Sequence, residues 1–358
     1  MSRIDIDDIR CKGCGRCITA CPKDLITFSH DLNDRGYNYV TFAGSPEECS
    51  GCTICAVVCP DQGIEVWNHK DKQTFVNTTG LTENMSHYCP GCTHGVIHRV
   101  TAEVLEELGL LGRTIGIAPV GCSVLAYEYF NLDMFEAAHG RAPAVATGAK
   151  HARPDRIVFT YQGDGDLASI GGNEILHAAN RGEKITVIFV NNAIYGMTGG
   201  QMAPTTLAAQ KTTTSPMGRD VNAVGYPMRV SELLTSLRTP AFIARGSAHD
   251  GKHTTQLKKL IRRAFEYQRD DVCFSFVEVL STCPTNWGLS PDEADAWLAN
   301  EMIPYSPLGI STPRAFTVGT RPEAIRTEPA TSPAQAFPLA PGIVTNAQAT
   351  PQAADHYR

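Results

Sequence analysis

The chain carries one short pattern twice. "CKGCGRCITACP" (Cys11 to Pro22) and "CSGCTICAVVCP" (Cys49 to Pro60) both read C-x2-C-x2-C-x3-C-P. Each is followed by a short apolar stretch, "LITF" in the first copy and "GIEV" in the second. Two full copies mark an internal duplication and leave residues 1–67 little freedom in what they can fold into. Soft thiolates this close together on tight loops suit a metal–sulfur centre, with backbone N–H groups turned toward the sulfur. Gly13 and Gly51 permit such loops. Zinc knuckles or a disulfide module are the bland alternatives, and two complete four-cysteine runs argue against both. The N-terminus, "MSRIDIDDIR", has no apolar signal region. A cytoplasmic protein is therefore expected, and in a reducing cytosol thirteen cysteines bind metal or do chemistry more readily than they form disulfides.

The spacing resembles that of bacterial ferredoxins, where three cysteines of a run hold one [4Fe–4S] cluster and the fourth reaches across to the other. On that resemblance Cys11, Cys14, Cys17 and Cys59 form a first set, and Cys49, Cys52, Cys55 and Cys21 a second. Residues 1–67 then read as a small α+β dicluster electron carrier. Between the copies, "LITFSHDLNDRGYNYVTF" alternates apolar residues around an Asn-Asp-Arg-Gly turn, which predicts a hairpin. Residues 68–85, "NHKDKQTFVNTTGLTENM", are polar without helical period and read as a linker packed along the surface.

From residue 95 onward apolar runs alternate with helical patterns. "RIVFTY", "ITVIFVNN", "AFIARG" and "CFSFVEVL" read as buried strands. In "HTTQLKKLIRRAFEYQ" Leu257, Leu260, Ile261, Ala264 and Phe265 recur at helical spacing. Such alternation predicts an α/β fold, a parallel sheet flanked by helices. The 358 residues suffice for this domain, expected over 86–305, beside the smaller one. A net charge of −6 gives no nucleic-acid stripe, and no apolar run approaches the ~20 residues of a membrane helix.

Two polar signals follow strands, where ligands of such sheets bind. "GDGD" (Gly163, Asp164, Gly165, Asp166) follows one strand, and Asn191–Asn192 ends the next, 26 residues after Gly165. Glycines let backbone approach a phosphate, and the helix that follows offers N–H donors. Asp and Asn oxygens at neighbouring strand ends suit Mg²⁺. The arrangement resembles the thiamine-diphosphate motif. By that resemblance Asp164, Asn192 and the Ile194 carbonyl hold Mg²⁺, while Gly165 and Asp166 meet the diphosphate through backbone groups. An ordinary βαβ turn with Asn caps is the alternative.

Five cysteines remain. Cys273 opens an apolar strand and reads as a buried small hydrophobe. Cys89, Cys92, Cys122 and Cys283 make four, the number a third cluster or a tetrahedral zinc needs. Beside two electron-transfer clusters, a third cluster has the clearer task. "CPGCTHG", "GCS", "HGRAPAVATGAK", "GDGDLASIGGNE", "NNAIYGMTGGQMAPTT" and "STCPTNW", in this order, resemble the β subunit of 2-oxoacid:ferredoxin oxidoreductases over about residues 86–305. Thr93 stands where that family's glycine is expected. Residues 1–67 resemble the ferredoxin-like δ subunit of the same enzymes, so the chain looks like a δ–β fusion.

The resemblance implies CoA-dependent oxidative decarboxylation of a 2-oxoacid, with electrons relayed through three [4Fe–4S] clusters to external ferredoxin. It makes Cys89, Cys92, Cys122 and Cys283 the ligands of the cluster nearest thiamine diphosphate. It implies an α subunit for pyrimidine and substrate binding, in some members a γ subunit, and a dimer of heterodimers or a larger assembly. By family analogy "STCPTNWG" and "QMAPTT" favour 2-oxoglutarate or branched-chain 2-oxoacids over pyruvate; 2-oxoglutarate is the first choice, with branched-chain 2-oxoacids or aryl glyoxylates as alternatives. His139, Arg141, Met197, Thr198 and Gln201 are the catalytic candidates by the same resemblance, and His94 and His98 sit beside the cluster loop. Two other readings are a non-oxidative thiamine decarboxylase or synthase subunit, and an electron-transfer subunit that binds no thiamine diphosphate. The extension from 306 to 358, rich in Pro, Ala and Thr from Arg321 onward, is expected to be disordered or to drape over a partner. Replacing Cys89 is expected to leave the two N-terminal clusters assembled while abolishing their reduction by 2-oxoacid, read from the absorbance of the complex. Persisting reduction would overturn the relay.

Overall fold

Continuous apolar runs can be buried on both faces only if helices cover both sides of the sheet they form. That is the arrangement in the computed structural model, which describes residues 2–311 except 69, 71 and 240. The large sheet has seven strands. In spatial order they are Gly309–Ile310, Ala241–Ser247, Phe274–Leu280, Thr186–Asn191, Ile157–Gly163, Thr114–Pro119 and Asp133–Ala137. All pair in parallel except the short edge strand Gly309–Ile310. Every residue of Thr186–Asn191, Ala241–Ser247 and Phe274–Leu280 is buried.

One face packs against the helices His94–Glu107 and Gly251–Arg269, through Val96, Ile97, Val100, Leu257, Ile261 and Phe265. The other face packs against Ala142–Ala152, Gly172–Arg181 and Val230–Thr235, through Ala142, Ala146, Ile175, Ala178 and Leu234. The helix expected over 253–268 begins at Gly251, because the Asp250 carboxylate accepts the His253 N–H at 2.7 Å and caps it. Cys273 is buried in the first of these cores, as expected of a small hydrophobe.

The N-terminal module has its own core around Ile4, Ile26, Val40, Ala56, Ile64 and Val66. The expected hairpin forms, with Ile26 opposite Phe42 and Phe28 opposite Val40. Residues 68–85 differ from a plain linker. Gln73–Phe75 pairs antiparallel with Ile64–Trp67 and extends the module's sheet, and Leu81 enters the core of the large sheet. A three-residue strand is too short to carry a period, so pairing rather than pattern creates it. Likewise the stretch after residue 305 contributes Gly309–Ile310 before the described residues end. The tail from Arg321 lies outside them.

Module and sheet meet closely. The buried Arg16 donates to Asp295 at 2.7 Å and to the His249 carbonyl at 2.8 Å. The buried Arg99 donates to the Val57 carbonyl at 2.7 Å and lies over the Phe75 ring. Gly95, in the first turn of His94–Glu107, faces Pro60 so tightly that a Cβ there would stand 1.8 Å from the Pro60 carbonyl oxygen. Gly95→Ala is therefore expected to lower stability by about 1–3 kcal/mol or more, seen as a fall in the thermal midpoint. An unchanged midpoint would show that this contact does not hold the module in place.

Candidate functional site

Four neighbouring strands end at the same edge, and each delivers one residue of the site. In spatial order Cys283 follows Phe274–Leu280, Asn192 follows Thr186–Asn191, Asp164 follows Ile157–Gly163, and Cys122 follows Thr114–Pro119. The Asp164 carboxylate is buried and accepts from the Gly165 N–H (2.8 Å), the Ile194 N–H (3.1 Å) and the Thr205 hydroxyl (2.6 Å). Burial, offset in part by these donors, pushes its carboxyl up to about 6. The two asparagines divide their work. Asn191 is consumed by structure, accepting from Ala193 N–H and donating to Glu278. Asn192 Oδ1 is buried with no partner. An orphaned amide oxygen beside a costly buried carboxylate is a donor set that fits a hard divalent cation.

Gly165 packs under the Tyr195 ring, where a Cβ would meet ring carbon at 2.2 Å. The Asp166 carboxylate is taken up by neighbouring donors. It accepts from His139 Nδ1 and Gly140 N–H at 2.5 Å each, and from Gln162 at 2.7 Å. His139 is thus anchored at the strand edge. Arg141 instead binds Glu174 and the Ile170 carbonyl, bracing two helices. Thr198 and Gln201 bond each other at 2.5 Å across a turn closed by Tyr195 N–H to the Gln201 carbonyl, and Met197 is exposed beside them. That loop also reaches the cysteines. A Cβ on Gly196 would stand 3.3 Å from the Cys122 sulfur and 3.5 Å from the Cys283 sulfur.

The cysteines gather in three places. Cys11, Cys14, Cys17 and Cys59 line one cavity, and Cys21, Cys49, Cys52 and Cys55 line another. In both copies a glycine N–H points at the first sulfur, from Gly13 to Cys11 and from Gly51 to Cys49, each at 3.4 Å. Cys92, Cys122, Cys283 and Cys89 feel one another's charge at the third place, where Asn286 donates to the Cys283 sulfur at 3.2 Å. Burial first, then neighbouring sulfurs, pushes the Cys122 thiol up to about 12 and raises Cys92. Such thiols give up their protons only to a cationic centre. Tetrahedral zinc, with Zn–S near 2.3 Å, would draw its sulfurs to roughly 3.8 Å apart. Among the described residues no three of these sulfurs lie within 4.8 Å of one another, and the one group that close is His249, Asp250 and His253 around a helix cap. Four cysteines gathered at each place are the ligand number a [4Fe–4S] cluster takes.

Behind the third set lies a buried ring cluster. His94 Nδ1 meets the Tyr161 hydroxyl at 2.7 Å, and His98 Nε2 meets the Tyr88 hydroxyl at 3.2 Å. Burial lowers both histidines, His94 to about 3, so both are neutral at pH 7. Sequence reasoning missed Thr205, although it lies in the quoted "QMAPTT". It also missed Arg219, whose guanidinium donates to the carbonyls of Ala203, Pro204 and Thr206 and so fixes the loop that carries Thr205. No local pattern marks an arginine that binds carbonyls.

Comparisons with known proteins bear on the family and its domains. Residues 119–279 match the family described as "Thiamine pyrophosphate enzyme, C-terminal TPP binding domain", and residues 10–62 match "4Fe-4S dicluster domain". The chain is 38% identical over 203 residues to 2-oxoglutarate synthase subunit KorB of Methanocaldococcus jannaschii, covering 56% of this chain and 70% of that one. The chain belongs to the 2-oxoacid:ferredoxin oxidoreductase family. Within that family it is 51% identical over 228 residues to ketoisovalerate oxidoreductase subunit VorA of Methanothermobacter thermautotrophicus, covering 64% of this chain and 48% of that one. It spans about half the length of that first relative. Among solved structures, a 2-oxoglutarate:ferredoxin oxidoreductase from Magnetococcus marinus with 2-oxoglutarate, coenzyme A and succinyl-CoA bound matches with a TM-score of 0.51 at 31% identity. The match covers 57% of this chain and 67% of that one. Within this family, the chain has a thiamine-diphosphate-type sheet domain and an iron–sulfur module, and no described helix is long and apolar enough to cross a membrane.

The raised carboxyl of Asp164 gives a pH signature. Its folded value of about 6 lies above the ordinary 3.8, so the unliganded folded state takes up a proton as pH falls from 6 toward 4. This group therefore favours folding at the acid end and opposes it above pH 6, and a bound divalent cation reverses that order. Adding Mg²⁺ with thiamine diphosphate should raise the thermal midpoint at pH 7.5, and the rise should shrink as pH drops below about 6. A rise independent of pH would exclude Asp164 as a ligand.

Proposed function

We propose that this chain is the thiamine-diphosphate and iron–sulfur subunit of a 2-oxoacid:ferredoxin oxidoreductase, converting a 2-oxoacid and CoA to acyl-CoA and CO₂. The observation that carries the reading is the strand edge on which Asp164 and Asn192 stand between Cys122 and Cys283. A decarboxylase without redox work would have no use for cysteines flanking its metal residues, and a bare electron carrier would have no use for Asn192's orphaned oxygen.

Asp164, Asn192 and the Ile194 carbonyl hold Mg²⁺ in this reading, and backbone of Gly163, Gly165 and Asp166 receives the diphosphate. When bound, thiamine diphosphate supplies the carbanion chemistry of decarboxylation, and the clusters accept the electrons singly. The protein's own part is placement. Thr205 and two backbone N–H groups aim the Asp164 carboxylate. Asp166 holds His139 at the edge of the site, and the Thr198–Gln201 turn positions Met197 beside it. Cys89, Cys92, Cys122 and Cys283 hold the cluster next to this edge. A Cβ on Gly91, within that third set's loop, would stand 3.6 Å from the Cys14 Cβ, so the first set adjoins the third. The second set follows, and its Cys52 is exposed, where external ferredoxin could dock.

A partner α subunit provides the pyrimidine-binding and substrate domains, with a γ subunit in a larger assembly. Exposed Ile170, Met197, Met217 and Tyr226 lie on segments that follow the sheet's strands, Phe135 is exposed on the edge strand Asp133–Ala137, and both suit such a partner. For the substrate, 51% identity to a ketoisovalerate oxidoreductase subunit against 38% to a 2-oxoglutarate synthase subunit moves the preference from 2-oxoglutarate to a branched-chain 2-oxoacid.

The test is assay of the chain with its partner subunit against 2-oxoisovalerate, 2-oxoglutarate, pyruvate and aryl glyoxylates. The highest kcat/KM is expected for 2-oxoisovalerate, and a higher value for 2-oxoglutarate would reverse the substrate assignment. The purified single chain should show iron–sulfur absorbance without 2-oxoacid-dependent dye reduction. Full turnover by the lone chain would sink the requirement for a partner.

A further inference from the structure

Lys12 stands between Cys11 and Cys14 and is only 4% exposed. All three of its donors are used, by Asp61 at 2.6 Å, Ser86 Oγ at 2.9 Å and the Tyr88 carbonyl at 2.7 Å. Asp61 is buried as well, with 8% of its side chain exposed. Both residues line the same cavity as Cys11, Cys14, Cys17 and Cys59. The Tyr88 carbonyl that Lys12 holds immediately precedes Cys89, so the pair sits where the first and third cysteine sets meet. The carboxylate acts on Cys14 and Cys59, opposing further negative charge there. Lys12 acts on Asp61; Arg16, the cation acting on Cys14, is paired to Asp295, and Arg35, which also acts on Asp61, donates to the Ile9 carbonyl.

A buried ion pair is a poor device for stability, because apolar residues of similar volume do as well or better. Its location is the informative part. An electron added to a cluster is a negative charge, which a nearby carboxylate disfavours and a nearby ammonium favours. The two effects oppose each other as long as the pair is intact.

We propose that Lys12 and Asp61 form an electrostatic trim on the cluster of Cys11, Cys14, Cys17 and Cys59, with the lysine raising and the aspartate lowering its reduction potential. The two are positioning residues that set the energy step from the third set to the first. This rests on the reading that those four cysteines hold a cluster.

The experiment is a redox titration of the full, cluster-loaded chain followed by electron paramagnetic resonance, with iron counted in each variant. Asp61→Asn should raise the midpoint of that one cluster, and Lys12→Met should lower it. Each shift should reach at least 59 mV, the one-electron equivalent of a tenfold change in the equilibrium constant. The double variant should return close to the parent value, and the cluster of Cys21, Cys49, Cys52 and Cys55 should not move. A merely structural pair would give shifts of one sign, or none, and either result overturns the proposal. Should Lys12→Met fail to assemble, the rise in Asp61→Asn and its reversal in the double variant carry the same test. An iron count that Cys17→Ala leaves unchanged would instead defeat the reading that the first set holds a cluster, and the proposal with it.

Discussion

The site depends on parallel strands that end together. A parallel sheet brings the carboxyl ends of its strands to one edge, and here four adjacent ends carry Cys122, Asp164, Asn192 and Cys283. Backbone hydrogen bonds fix the spacing between strands, so the proposed metal residues and the sulfurs share one rigid frame. Loops add to that frame without replacing it. Arg219 fixes the loop of Thr205, Thr205 fixes Asp164, and Glu278 fixes Asn191 beside Asn192. Each link is a buried polar contact whose loss would leave a desolvated partner.

The N-terminal module is held to this frame by three buried cations. Lys12, Arg16 and Arg99 each donate to a carbonyl across the boundary between module and sheet domain. Two of the three lie inside the first cysteine run, on either side of Cys14, so the loop that gathers sulfur also docks the module. The flush contact of Gly95 with Pro60 brings the end of the second cysteine run against the first turn of the helix that follows Cys92. Metal binding and docking are one piece of architecture here, not two.

The cysteine runs, the hairpin and the alternation of strands with helices were legible because each is a local, repeated pattern. So were Asp164 and Asn192, since strand ends flag them. The strand Gln73–Phe75 was not, because it exists only through its pairing with Val66 and Trp67. Lys12, Asp61 and Arg219 look like ordinary surface charges in the sequence, and only burial reveals their partners. The orphaned oxygen of Asn192 is likewise invisible until Asn191 is seen to be occupied elsewhere. Arg141 shows the converse, a residue singled out by resemblance whose contacts here are with Glu174 and the Ile170 carbonyl.

The third cysteine set is drawn from distant points of the chain. Cys89 and Cys92 precede the first long helix, Cys122 follows a strand, and Cys283 follows the strand Phe274–Leu280. The other two sets close within the first 60 residues. Local closure is fast and entropically mild, whereas long-range pairing waits for the sheet. The order of maturation follows from this: the N-terminal sets can take metal while the rest of the chain is still being made, and the set beside Asp164 cannot exist until the strand before Cys283 has joined the sheet.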